Sequence, residues 1–212
     1  MTDQTIITPS PAFGLRNVLP TLFVDAALPV IVFDVLMARG VAVIWALAAG
    51  GVPPALNNLR TWIKARRLEP LGIIVMTLLA VGTLASLISG NVLFALIKGS
   101  FLTAAFGLIC LGSLFAARPL MFYVFRQFVA GDDAARIESW NLRWDIGGFR
   151  RALRFVTAVW GVTYLVQAAL GIGLAIALTP QQVVTISPIT GFGALIALIA
   201  WSRRTMLPFR RS

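Results

Sequence analysis

The chain has 212 residues, is 58% hydrophobic and 12% charged, and carries a formal net charge of +10, with a mean hydropathy of +0.88. Soluble domains are nearer half apolar and a quarter charged, so the composition excludes an ordinary soluble domain and points to a polytopic membrane protein. The basic excess does not indicate nucleic acid as a partner. It sits in short blocks between apolar runs, the pattern of orientation signals and of contact with anionic inner-leaflet lipids. Cys110 is the single cysteine and histidine is absent, which removes an internal disulfide and the commonest metal ligand. No metal site or cofactor is expected, and nothing in the sequence calls for catalysis. Residues 1–18 are too polar for a cleavable signal peptide and read as a cytoplasmic tail.

Six apolar runs follow, at 19–38, 41–59, 71–89, 99–117, 155–178 and 183–201. Each is long enough for a helix spanning a hydrocarbon core ~30 Å thick. The expected fold is all-α, a single membrane domain over 19–212 with six transmembrane helices. Placing both termini in the cytoplasm puts sixteen of the eighteen basic residues on one side, leaving only Arg39 and Lys98 outside, as the positive-inside rule requires. Three spans followed by three is compatible by parity with an inverted 3+3 arrangement.

The first run holds two carboxylates, Asp25 and Asp34, with Pro29 between them. A carboxylate inside the hydrocarbon costs at least ~2.5–3.5 kcal/mol and needs a partner, a proton or water. Pro29 has no N–H to offer the carbonyl of residue 25, so one position supplies both an acid and a freed backbone oxygen. In the second run Pro53 and Pro54 likewise release the carbonyls of Ala49 and Gly50, at close to the depth of Asp25. Gln167 lies near the centre of the fifth run. Together Asp25, Pro29, Ala49, Gly50 and Gln167 form a candidate ion, proton or substrate site, since broken helices line polar cavities in transporters. The alternative is that Pro and Gly kink and close-pack the helices while a protonated Asp25 bonds a neighbour. Ser187-Pro188 is expected to break the sixth span as Pro29 breaks the first. Asp34 falls on the opposite helix face from Asp25, near the outer end, where Lys98 and Arg39 are candidate ion-pair partners.

The second inner connection, 118–154, is the largest extramembrane piece. Its opening RPLMFYVFRQFV places Phe122, Phe125 and Val129 on one face with Arg118 and Arg126 at the edges, which predicts an interfacial amphipathic helix. The rest mixes Trp140 and Trp144 with arginines that include Arg150 and Arg151. Arg118, Arg126, Trp140, Trp144, Arg150 and Arg151 read as an anchoring belt on lipid or as a docking surface for a partner.

The runs LAAGGVPPALNNLRTWIKARRLEPLG, SGNVLFALIKGSFLTAAFGLICLGSLFAARPLMFYVFRQF and RWDIGGFRRALRFVTAVWG together resemble a bacterial family of six-span inner-membrane proteins known as septation-protein-A-like. In that family a basic, an acidic and a Ser residue open the fourth span, whereas this chain has Lys98-Gly99-Ser100. The resemblance implies an inner-membrane location and a link to envelope or division proteins, and no established chemistry. Two functions stay open. One is a non-catalytic interaction, scaffold or assembly protein that presents 118–154 to a cytoplasmic or membrane-protein partner. The other is a small cation- or proton-linked transporter or channel centred on Asp25 and the Pro53-Pro54 break, expected as a homodimer because six spans are few for a solute pathway.

Overall fold

The computed structural model describes residues 15–53, 55–56, 60, 70–131 and 133–207, with 15–26 and 70–79 described as backbone helix alone. Every regular element among them is helical, as a chain rich in Leu, Ala and Phe requires where lipid offers the backbone no hydrogen-bond partner. The chain forms two compact units, Met1–Gly90 and Asn91–Ser212.

The first unit holds α1 (Leu15–Ala38), α2 (Val43–Gly50) and α3 (Pro70–Ser89). α1 stays helical through Pro29, which corrects the expected break: losing one backbone hydrogen bond leaves those on either side to carry the helix. It stops at Gly40, whose φ of +76° only glycine adopts at little cost. There Gly40 N–H bonds the Met37 carbonyl at 3.0 Å and Val41 N–H bonds Leu36 at 3.1 Å, the paired bonds of a Schellman stop. The turn folds α2 back along α1. Gly50 then lies so close to the Pro29 carbonyl that a Cβ there would stand 3.1 Å from its oxygen. One turn along each helix, Phe33 and Ala46 are buried. α2 ends at Gly50, with Gly51 N–H turned onto the Ala48 carbonyl at 3.1 Å, and helix resumes at Val52.

In the second unit, α4 (Val92–Gly112) runs into a 3-10 turn at Ser113–Phe115, followed by α5 (Leu120–Ala130) and α6 (Ala134–Leu142). A second 3-10 turn at Arg143–Asp145 leads into α7 (Gly147–Ala177) and then α8 (Pro180–Met206). Three described helices are long and apolar enough to cross a membrane: Val92–Phe115, Gly147–Ala177 and Pro180–Met206. Shorter apolar stretches occupy Ala27–Ala38, Ala80–Ser89 and Leu120–Ala130.

Local chemistry sets the ends of these helices. Asn91 Oδ1 accepts from Phe94 N–H at 3.0 Å, and the Asp133 carboxylate accepts from Ala135 and Arg136 N–H at 3.0 and 3.2 Å. Thr179 and Gln182 form a capping box with Pro180 in the first turn. Two boundaries move from those expected. α4 begins seven residues before Gly99, which puts Lys98 in its second turn instead of in a connector. α7 begins at Gly147 instead of Phe155 and is 31 residues long. At 1.5 Å per residue that is about 46 Å, half as long again as a hydrocarbon core. α8, like α1, continues through its internal proline, Pro188.

α4 packs along α7, and α7 packs against α8. α4 and α7 meet at Gly107 and Gly161. A Cβ on Gly107 would stand 2.9 Å from the Gly161 carbonyl oxygen, and one on Gly161 would stand 2.7 Å from the Leu111 side chain. Small residues at a crossing let backbones approach in the way membrane helices use for packing.

Candidate functional sites: an aromatic cap and a polar cleft

The segment 118–154 folds against the start of α7. Phe122, Trp140, Trp144, Phe149 and Leu153 are buried in one core with Val156, Trp160 and Leu198. Phe122 meets Trp144 edge-on with centroids 5.2 Å apart, and Trp140 meets Phe149 at 5.3 Å. Such edge-to-face pairs are each worth ~0.5–1.5 kcal/mol beyond burial. Trp140 Nε1 donates to the Phe122 carbonyl at 3.2 Å, so its only polar atom is satisfied inside the core.

This arrangement corrects the expected belt. Trp140 and Trp144 are 6% and 9% exposed and cannot sit among lipid headgroups. Their alternation with arginines reflects the period of a packed helix, in which one side goes inward. α5 forms where the amphipathic helix is expected. Its Phe122 faces the core and its Phe125 meets Trp160 edge-on at 6.5 Å, while Val129 and Phe128 are exposed.

The arginines divide into two groups. The Arg118 guanidinium lies 4.8 Å over the Phe122 ring and donates to Asn141 Oδ1 at 3.4 Å, and Arg126 lies 5.4 Å from the Tyr123 ring. These two brace the cap. Arg150, Arg151 and Arg154 are exposed on one side of α7, while Phe149, Leu153, Val156, Thr157 and Trp160 are buried on the other.

Of the candidate site residues in the first unit, Pro29 and Gly50 are brought into backbone contact, and Ala49 lies beside Gly50, partly buried. The Asp25 side chain and Pro54 lie outside the described residues. Asp34 is half-buried in the last stretch of α1 and Arg39 is exposed in the turn that follows. Gln167 and Lys98 belong to the second unit.

Gln167 has a different setting. It lies in a cleft of about 270 Å³ among α4, α7 and α8. α4 contributes Leu96, Gly99, Ser100 and Thr103; α7 contributes Thr163, Tyr164, Gln167 and Gly171; α8 contributes Ser187, Thr190, Gly191 and Ala194. On each helix these residues recur at helical spacing, so the face each turns to the cleft is, Leu96 apart, polar or small. Gln167 Nε2 donates to Thr190 Oγ1 at 3.1 Å, and Thr190 Oγ1 donates to the Ser187 carbonyl at 3.0 Å. Ser100 sits over Gly171, where a Cβ would stand 2.5 Å from its Oγ. The Trp160 ring stacks on Tyr164 at 6.0 Å, and Tyr164 in turn contacts Phe106 at 4.8 Å.

Of these residues the sequence singles out Gln167 alone for a site, and the signal for the rest is the recurrence of Ser, Thr or Gly at helical spacing on three helices. No acid or base lines the cleft, and no group of three or more metal-ligating side chains occurs among the described residues. No family model, characterised protein or solved structure matches the chain.

Proposed function

We propose that the chain is a non-catalytic, multi-pass inner-membrane protein that serves as an interaction or assembly platform of the cell envelope. In this reading it crosses the bilayer six times with both termini cytoplasmic, and the cap at the inner surface is its working part. One observation carries the reading: the aromatic core holds α7 so that Arg150, Arg151 and Arg154 are all exposed on one side. A flexible loop would lose side-chain and backbone entropy on meeting a partner, and a folded cap has lost most of it already. The outward arginines suit an acidic protein surface beside the membrane, with anionic headgroups as their resting contact. The Arg150→Gln, Arg151→Gln double variant is expected to lose its co-purifying membrane partners while Asp25→Asn keeps them. Equal recovery from both variants refutes the reading.

A second reading is a small cation- or proton-linked transporter. It is supported by the seating of Gly50 on the Pro29 carbonyl, which joins two of the candidate site residues. Asp25→Asn in proteoliposomes is then expected to abolish proton-coupled flux.

A further inference from the structure

Helical Ser and Thr residues in an apolar setting usually return their hydroxyl proton to the carbonyl one turn back. Thr103, Thr157, Thr185 and Thr205 do so here, to Gly99, Leu153, Gln181 and Trp201 at 2.8–3.1 Å. Ser100, Thr163 and Ser187 do not, and their hydroxyls have no hydrogen-bond partner among the described residues. All three line the cleft. No fully buried side-chain nitrogen or oxygen among the described residues lacks a partner, so each of these hydroxyls keeps accessible surface on a residue that lines the cleft. Each of the three helices therefore brings one uncommitted hydroxyl to the lining of a common cleft.

We propose that this cleft is a binding site for a small uncharged polyol. An uncommitted hydroxyl gains a hydrogen bond from a polar molecule and nothing from an apolar one, so the cleft favours a polar occupant. That occupant is uncharged, because no acidic or basic side chain lines the cleft to balance a charge taken out of water. It carries several hydroxyls, because the three open groups and the Gln167 carbonyl offer both donors and acceptors. The volume of about 270 Å³ falls just below the ~300–1,000 Å³ of ordinary ligand pockets. At ~30 Å³ per water it holds roughly nine water-sized groups, which suits a molecule between glycerol and a hexitol. The site is independent of the cap and of the interaction function proposed for it.

The test is saturation-transfer NMR on the full chain in lipid nanodiscs, with glycerol, myo-inositol, choline and glutamate as probes. A saturable polyol signal is expected, with a Kd on the order of millimolar for so few atoms. Choline and glutamate should give none. The Thr163→Val, Ser187→Ala double variant removes two hydroxyls that bond nothing in the protein, and should weaken polyol binding about tenfold. Ser100→Ala, which only deletes an atom, is the second variant if the first folds poorly, and should weaken binding severalfold. A polyol signal no larger than that of empty nanodiscs overturns the proposal and leaves the cleft with water only. So does undiminished binding in folded variants, or a preference for a charged probe.

Discussion

The α4–α7 crossing predicts opposite signs for one substitution made at two glycines. At Gly107 a new methyl would meet the Gly161 carbonyl oxygen at 2.9 Å and the Leu165 backbone nitrogen at 3.1 Å. Both obstacles are backbone, so relief requires the helices to separate. Overpacking of this kind costs ~1–3 kcal/mol, and separation also loosens Leu111 from its seat over Gly161. At Gly173, in α7, nothing lies within 4 Å of the same methyl. Only the helix preference for Ala over Gly remains there, worth up to ~1 kcal/mol. Gly107→Ala should therefore destabilise by about 0.5–2 kcal/mol after its own propensity gain, while Gly173→Ala stabilises by about 0.5–1 kcal/mol. Reversible unfolding in mixed micelles, followed by far-ultraviolet circular dichroism, measures both. If the two variants shift in the same direction by the same amount, the close crossing is refuted.

Three further outcomes follow from individual contacts. Trp140→Phe keeps most of the ring but deletes the Nε1 donor to the Phe122 carbonyl, which retains its bond within α5, and should cost about 0.5–1.5 kcal/mol in the same unfolding measurement. Gly40→Ala forces a Cβ into left-handed backbone at φ +76° and should cost about 1–2 kcal/mol, with no compensation from Arg39 or Val41. Cys110 is fully buried, so a maleimide added in mild detergent should modify it only at the rate of unfolding. Rapid labelling of the native protein, followed by mass spectrometry, would show that the core around Trp160 is open.

How much was legible before folding differs between the two sites. The cap was readable as a segment, because RPLMFYVFRQFV and the arginine-rich stretch after it differ in composition from the runs on either side. Its interior was not readable. A tryptophan between arginines satisfies either a lipid belt or an aromatic core, and only the packing of Phe122 and Phe149 on Trp140 decides between them. The cleft was less visible still. Ser100, Thr163 and Ser187 lie on three separate runs, and each alone resembles an ordinary packing residue.

The sequence by itself determined that the chain is helical and apolar, where its basic connectors fall, and which residues stop its helices. Those are consequences of local chemistry: every backbone group must pair within its own segment, Gly40 alone tolerates its turn, and Thr179 with Gln182 caps the last helix. Only the tertiary structure decided that Trp140 and Trp144 turn inward, that Gly107 meets Gly161, and that three hydroxyls share one space. A helix apolar on every side gives little periodic signal to show which face meets a neighbour and which meets lipid. That choice is made by the shapes of the partner helices.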